Sequence, residues 1–349
     1  MWRMVALISL GGWFKLYHLC FTGYIAAGPR DFMPPQPGSR CSRSAAALRM
    51  LGPIKGGFRM PIIGSGKYRY DFQRDWAKLP RGWNLGETGL PGPPRTSVQG
   101  ATAANGDVYV LCRAAHPVLV FDTEGRFITS WGEGQFSAFV HGLTIDRAGQ
   151  VWIADSGLHT VTCHQPDGTL LQTLGTPNGA APTFYGKPFN MPTGTAFTAD
   201  GDLFVSDGYG NRRVHRFSPT GELKQSWGEP GSGPGQFALV HFVGVDAEDR
   251  LYVCDRENNR IQLFTPTGDH LADWSGFHMP SDLAFGREAI YVAGGDGLSI
   301  WTPGREKLVQ VGPDDPYQGA FNVHGIWLDA DENIYLAQFD RAVSKLTRR

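Results

Sequence analysis

The sequence lacks a cysteine framework and a large net charge of either sign. Of its five cysteines, Cys112, Cys163 and Cys254 show neither CxxC spacing nor a pairing pattern, so nothing supports a disulfide scaffold. We expect these three to be buried as small hydrophobic residues. The formal net charge is only −1, which gives no overall field for capturing a polyanion. The sequence therefore predicts no nucleic-acid partner.

Long apolar runs are missing as well. The apolar stretch at the N-terminus, MWRMVALISLGGWF, falls short of the ~20 apolar residues of a membrane span, so we predict no stable membrane insertion. Its length does suit a signal peptide, and the small residues Ala26 and Ala27 follow it. A cytoplasmic location is favoured, with export as the alternative if residues 1–27 act as a signal. We expect residues 1–64 to be a leader or linker, disordered or removed, and residues 65–349 to form the folded domain.

Turns between short β-rich stretches are abundant. The chain has 46 glycines and 24 prolines, and DG, EG, PTG and PDG turns separate strands rich in β-branched and aromatic residues. One strand recurs at intervals of 39 to 52 residues, with its ends at Cys112, Asp155, Asp207, Asp255, Gly294 and Gln338. A period in the forties with four strands per unit is typical of a propeller blade.

The two ends of the repeat region complement each other. The last unit stops at AVSKLTRR after three strands, whereas YRYDFQRDW at residues 68–76 reads as a fourth strand ahead of the first unit. If that strand completes the last blade, the ring closes without exposed sheet edges. We therefore predict an all-β fold, a six-bladed β-propeller closed by an N-terminal strand. The alternatives, an open β-solenoid or two sandwiches, would leave the truncated unit unexplained.

Three histidines occupy one position of the repeat. His141, His241 and His324 each stand 14 residues before the end of the recurring strand, and they fall in blades two, four and six only. In a six-bladed ring, alternate blades at one register place three side chains about 120° apart around the central channel. Three imidazoles that leave further coordination positions open suit a catalytic metal. We predict a divalent metal site, with zinc favoured and iron, cobalt or manganese as alternatives.

The loops after the recurring strand are expected at the same end of the channel. They carry Arg113 in CRAAH, Tyr209 in DGYGN and Arg256 in DREN. Arginine suits a carboxylate because its planar fork donates two parallel hydrogen bonds, and a tyrosine near a cation and a metal can serve as a base. The competing interpretation is that Asp207, Asp255 and Arg256 only tie the loops together.

At these residues the chain resembles a known family. Its blades resemble NHL repeats, and three strings are similar to the peptidyl-α-hydroxyglycine α-amidating lyases: FVHGLTIDRAGQVWIADSGLHTV, LFVSDGYGNRRVHRFSPTGELKQSWGE and LYVCDRENNRIQLF. The resemblance covers roughly residues 65–349 and implies a six-bladed propeller that holds zinc through three histidines. It also implies cleavage of an α-hydroxyglycine-ended peptide into the peptide amide and glyoxylate, without a redox cofactor.

The resemblance assigns a role to each candidate residue. It implies that the three aligned histidines bind zinc, which polarises the α-hydroxyl oxygen of the substrate. Tyr209 would take the proton from that hydroxyl group, while Arg113 and Arg256 would bind the carboxylate and orient Tyr209. We accordingly expect a small-molecule or peptide C-terminal substrate as the partner, and a monomeric protein.

The family pattern breaks in two places. Its half-cystine positions hold other residues here, namely Gly210 and Asn190 for one pair and Tyr252 and Leu263 for the other. Its calcium site would take the backbone carbonyls of Val98 and Leu143 and a carboxylate directly after the third histidine, but that residue is Gly325. A hard cation loses its main anionic ligand there, so calcium binding is not expected.

Two other classes of function stay open. A metal-dependent propeller hydrolase of the lactonase kind would use metal-activated water and would predict acidic ligands in the channel, unlike the all-histidine set. A non-catalytic NHL interaction module would make the alignment of the three histidines accidental. The leading hypothesis is a zinc-dependent lyase that acts on an α-hydroxyglycine-type amide or a related small molecule.

Overall fold

Short strands form six sheets around a central channel. The computed structural model describes residues 61–86, 97–185, 187–312, 323–338 and 343–349. These residues belong to one compact unit, Phe58–Arg349. Most of the predicted leader lies outside the described residues, so the domain boundary at residue 65 stays a prediction. Within the described part of the chain, no helix is long and apolar enough to cross a bilayer.

The strands follow the order of the repeat. A hairpin of β1 (Ile62–Ser65) and β2 (Tyr68–Gln73) precedes the blades. Blade 1 comprises β3 (Ser97–Thr102), β4 (Val108–Cys112), β5 (Val118–Phe121) and β6 (Phe127–Trp131). Blade 2 comprises β7 (Val140–Ile145), β8 (Val151–Asp155), β9 (Thr160–His164) and β10 (Leu170–Gly175). Blade 3 comprises β11 (Pro192–Phe197), β12 (Leu203–Asp207), β13 (Arg213–Phe217) and β14 (Leu223–Trp227). A parallel ribbon follows, β15 (Glu229–Pro230) with β16 (Gln236–Phe237). Blade 4 comprises β17 (Val240–Val245), β18 (Leu251–Asp255), β19 (Arg260–Phe264) and β20 (His270–Trp274), with a 3-10 turn at Arg256–Asn258 between β18 and β19. Blade 5 comprises β21 (Asp282–Phe285), β22 (Ile290–Gly294), β23 (Gly297–Trp301) and β24 (Lys307–Val311). Blade 6 contains β25 (Val323–Leu328), β26 (Ile334–Gln338) and β27 (Val343–Arg348).

The N-terminal hairpin completes blade 6, as predicted. Strand β2 pairs antiparallel with β27, which places Phe72 opposite Leu346 and Tyr70 opposite Arg348. The strand order β1-β2-β27-β26-β25 makes this sheet five-stranded. The six-bladed closed propeller is therefore confirmed, and β1 is an addition that the sequence did not indicate.

Burial decreases from the second strand of each blade to the outer strand. Every residue of β8, β12, β18 and β26 is buried, because neighbouring blades cover both faces of the sheet. In the outer strands, β20 alternates between exposed and covered residues, and β10 is exposed at Leu170, Leu171 and Thr173. The first strand of each blade lines the channel and is backed by this fully buried layer, so its side chains have a rigid support.

The three described cysteines are free and buried, as predicted. Burial raises the pKa of the Cys112 thiol to about 12 and that of the Cys163 thiol to about 11. Because only the thiolate is a good nucleophile or metal ligand, these thiols are inert at neutral pH. These cysteines are packed in the hydrophobic core.

Candidate metal centre

A β-bulge turns each of the three histidines out of its strand ladder. In β7, a register shift between Val140 and Gly142 leaves His141 as an extra residue between two ladder pairs. The same shift surrounds His241 in β17 and His324 in β25. Because a bulge re-aims the inserted side chain, the shared position in the sequence becomes a shared direction in the fold.

The three imidazoles converge inside the ring of blades. Their candidate ligand nitrogens all lie within 4.8 Å of one another, and their ring centroids are 4.8 to 5.0 Å apart. His141, His241 and His324 are only 2%, 1% and 5% exposed. Within the described part of the chain, they form the cluster of side chains whose geometry could hold a metal ion.

Neighbouring blades fix the orientation of two of these rings. Nδ1 of His141 lies 2.7 Å from the carbonyl oxygen of Thr193, and Nδ1 of His241 lies 2.6 Å from that of Ser281. A carbonyl only accepts, so each Nδ1 carries the proton and each Nε2 keeps the lone pair that binds a metal. Thr193 and Ser281 stand at the histidine position of blades 3 and 5, a supporting role that the sequence analysis missed.

Burial favours the neutral form of His141 and His241. It lowers the pKa of His141 well below its usual 6.5, and the charges of His324 and Arg113 lower it further. Burial likewise lowers the pKa of His241, and here the charge of Arg256 is the next contribution. A neutral imidazole is the metal-binding form. A buried set of three imidazoles, two of them supported through Nδ1, therefore fits zinc.

Tyr209 reaches the same point from blade 3. Its loop follows β12, and its hydroxyl oxygen lies 3.1 Å from Nε2 of His141 and 3.2 Å from Nε2 of His241. The phenol thus stands beside two of the three nitrogens that would bind a metal. A proton on a substrate group held at these nitrogens would be within its reach.

Arg113 and Arg256 flank this point, and both also engage protein groups. Nε of Arg113 donates to the carbonyl oxygen of Val140 at 3.0 Å. Arg256 donates from Nε and Nη2 to Oε1 of Glu257 at 3.0 and 2.8 Å, and its Cζ lies 5.9 Å from the ring centroid of Tyr209. The packing of Arg256 over Tyr209 suits the predicted orienting role. Carboxylate binding by either arginine stays a prediction.

The residues that the resemblance assigns to calcium lie on three inner strands. Val98 is in β3, Leu143 is in β7, and Gly325 is in β25. Gly325 pairs with Ala337, the residue just before the end of β26. Asp282 occupies the equivalent position in blade 5 and is 1% exposed. A buried carboxylate is therefore present at this level of the channel, but in the neighbouring blade.

Hydrogen bonds occupy that carboxylate on both oxygens. Oδ2 of Asp282 accepts from Nε2 of Gln99 at 2.8 Å and from the backbone N–H of Ile326 at 2.7 Å. Its Oδ1 accepts from the N–H of Leu283 at 2.7 Å. Donors aimed at both oxygens do not fit a calcium ligand. Asp282 instead links blades 5, 6 and 1, a contact that the sequence analysis did not anticipate.

Comparison with known proteins identifies the repeat. The family model of the NHL repeat matches residues 189–217 and 237–264, which include Tyr209, His241 and Arg256. The chain carries NHL repeats. The predicted resemblance to this repeat is thereby confirmed for the two central blades.

Named relatives include both lyases and a protein named only for its repeats. NHL repeat-containing protein 3 of Mus musculus is 32% identical over 203 residues, which are 54% of this chain and 58% of that protein. Peptidylglycine alpha-amidating monooxygenase of Rattus norvegicus is 35% identical over 58% of this chain and 20% of that protein. Peptidyl-alpha-hydroxyglycine alpha-amidating lyase 1 of Drosophila melanogaster is 32% identical over 52% of this chain and 35% of that protein. The predicted resemblance to amidating lyases is confirmed, and the NHL-repeat chain spans less than two thirds of the length of each of these relatives.

Solved structures share the fold at lower identity. A streptogramin B lyase superposes with a TM-score of 0.58 and 14% identity, over 82% of this chain and 100% of that chain. At this identity the likeness concerns the propeller alone.

Metal analysis of the purified protein tests the histidine cluster. We expect one equivalent of metal per chain, and a loss of affinity of at least about 100-fold in His141→Ala, since changes to mere supporting partners of a ligand cost about 10- to 100-fold. His164→Gln is the matched control, because His164 is equally buried at 1% exposure but lies outside the cluster. Equal metal content in both variants, measured by elemental mass spectrometry, would rule out the assignment.

The Asp282 link predicts a specific pH dependence of stability. Burial raises the pKa of Asp282 from 3.8 to about 7, so between these values the folded chain binds a proton that the unfolded chain has lost. The associated stability is present below pH 3.8 and is lost as the pH rises to about 7, by up to about 4 kcal/mol.

Urea unfolding of the metal-free protein at a series of pH values measures this effect. Asp282→Asn should lack the decline, so the difference in unfolding free energy between wild type and variant should fall as the pH rises. The exposed Asp167→Asn should keep the decline. Parallel profiles of wild type and Asp282→Asn would contradict the prediction.

Proposed function

We propose that this protein is a metal-dependent lyase that cleaves the C–N bond of an α-hydroxyglycine-type amide. The products would be the amide and glyoxylate. The observation that carries the proposal is the position of Tyr209, whose hydroxyl oxygen lies 3.1 and 3.2 Å from Nε2 of His141 and His241. A base placed against a set of metal-binding nitrogens suits a substrate that offers a hydroxyl group at that point.

The reaction moves one proton and breaks one bond. Tyr209 takes the proton of the substrate's α-hydroxyl group, and the carbon–oxygen bond becomes a carbonyl as the carbon–nitrogen bond breaks. The departing nitrogen receives the proton that Tyr209 took and becomes the primary amide, so no oxidant or reductant is consumed. A zinc ion at the three histidines would supply Lewis-acid polarisation of the hydroxyl oxygen.

The two arginines provide the positive charge that the substrate's carboxylate requires. The charge of Arg113 acts on His141, and the charge of Arg256 acts on both His141 and His241, so both guanidinium groups lie near the reacting atoms. Arg256 is only 19% exposed in its side chain and is paired with Glu257. On substrate binding, the carboxylate would compete with Glu257 for the N–H donors at the edge of the Arg256 guanidinium.

The other two classes of function have less support in the geometry. A lactonase-type hydrolase would use carboxylate ligands, whereas the candidate cluster among the described residues consists of imidazoles. A purely structural NHL module would not need three buried, bulge-presented histidines, each withdrawn from solvent at a desolvation cost. The lyase proposal uses the imidazoles, the phenol and the arginines together.

Glyoxylate release from N-benzoyl-α-hydroxyglycine tests the proposal. We expect release by the metal-loaded protein, with kcat lowered about 100-fold or more in Tyr209→Phe because the positioned base is lost. Tyr109→Phe is the matched control, since Tyr109 is a buried core tyrosine between blades 1 and 2 and its variant should keep the wild-type kcat. Absence of glyoxylate from the metal-loaded wild type would refute the lyase function, and an unchanged kcat in Tyr209→Phe would refute the base.

A further inference from the structure

In each blade, one residue of the third strand pairs with the residue that lies two positions before the end of the second strand. In blade 3 it is His215, which pairs with Val205, two residues before Asp207. From blade 1 to blade 6 the residues at this position are Leu119, Thr162, His215, Gln262, Ser299 and Ser344. The one histidine stands in the blade whose loop carries Tyr209.

His215 is fully buried and joins two strands. It is 0% exposed, its Nε2 lies 3.1 Å from Oδ2 of Asp207, and its Nδ1 lies 2.7 Å from Oγ of Ser226 in β14. The ring of Phe189 packs edge-on against it at 5.5 Å. Because a carboxylate only accepts, Nε2–H donates to Asp207. The imidazole thereby ties the end of β12 to the outer strand of the blade.

Blade 4 holds its matching aspartate differently. There, Nε of Arg260 donates to Oδ2 of Asp255 at 2.9 Å. Arg213 occupies the same position in blade 3, but it donates from Nη2 to the carbonyl oxygen of Ser226 at 3.3 Å. A buried carboxylate needs a strong partner, and in blade 3 His215 provides the contact that the arginine provides in blade 4.

Asp207 in turn holds the loop that carries Tyr209 from both sides. Its two oxygens accept from the backbone N–H of Asn190, both at 3.0 Å, and its Oδ2 accepts from Nδ2 of Asn211 at 2.9 Å. The N–H of Gly210 donates to the carbonyl oxygen of Asn190 at 3.0 Å, and a Cβ at Gly210 would overlap Oδ1 of Asn190. Hydrogen bonds and close packing therefore hold the loop next to Tyr209.

We propose that His215 is a positioning residue for Tyr209. Its hydrogen bond fixes Asp207, and Asp207 fixes the loop through Asn190 and Asn211. The phenol oxygen is then kept at 3.1 and 3.2 Å from the Nε2 atoms of His141 and His241. A displacement of a catalytic group by about 1 Å can lower the rate about 100-fold. The inference about the loop rests on the geometry, and its catalytic consequence rests on the proposed function.

Two substitutions of His215 separate positioning from packing. His215→Leu introduces the residue type found at this position in blade 1, which cannot donate to Asp207. His215→Gln introduces the residue type of blade 4, where Nε2 of Gln262 lies 3.3 Å from Oδ2 of Asp255. Thr162→Val is the control at the same position of blade 2. Amide hydrogen exchange over residues 204–214 of the metal-loaded protein and kcat and KM for N-benzoyl-α-hydroxyglycine are the two readouts.

We expect His215→Leu to speed loop exchange and to lower kcat, each by about tenfold or more, with KM changed less than kcat. His215→Gln should restore most of both values, and Thr162→Val should match the wild type. If His215→Leu fails to fold, Ser226→Ala, which removes the partner of Nδ1, replaces it and should speed loop exchange.

Unchanged exchange in the folded His215→Leu variant, or in Ser226→Ala in its place, would overturn the proposal. So would unchanged kcat together with rapid exchange, since the loop would then not control Tyr209. If the wild type releases no glyoxylate, the proposed function fails, while the exchange measurements still decide whether His215 holds the loop.

Discussion

Hydrogen bonds from the imidazoles of one blade to the backbone carbonyls of the next are the interaction on which the candidate site depends. The bonds from His141 to Thr193 and from His241 to Ser281 settle which nitrogen carries the proton, and so aim each Nε2 at the common point. The approach is close: a Cβ at Gly142 would lie 2.6 Å from the carbonyl oxygen of Thr193. The pairing of β2 with β27 completes the ring of blades to which these strands belong.

A repeated fold offers one position six times, and this chain uses the copies differently. Three copies carry imidazoles, while the carbonyl oxygens of Thr193 and Ser281 at the same position accept hydrogen bonds from His141 and His241. The end of the second strand shows the same division of labour. Asp207 in blade 3 holds the loop of Tyr209 with the help of His215, whereas Asp255 in blade 4 is held by Arg260. Single-residue differences within a constant register thus distinguish one blade from another.

Register explains what the sequence could predict and what it could not. Some features depend only on the order of residues along the chain and could be predicted from the sequence. They are the strand periodicity, the truncated last unit and the 14-residue spacing of His141, His241 and His324. The link between Gln99 and Asp282 joins residues 183 positions apart, and register within a blade does not say which side chains meet across blades. The contact of Arg113 with Val140 in blade 2 was missed for the same reason. Strand β1 is too short, as IIGS, to show a strand pattern.

The most direct test of the central claim is anomalous X-ray diffraction at the zinc edge from crystals of the zinc-loaded protein. We expect one peak in the channel, from a zinc ion bound by Nε2 of His141, His241 and His324 at about 2.0–2.1 Å, with the hydroxyl of Tyr209 beside it. A channel without a peak, or a zinc ion held by other residues, would contradict the claim.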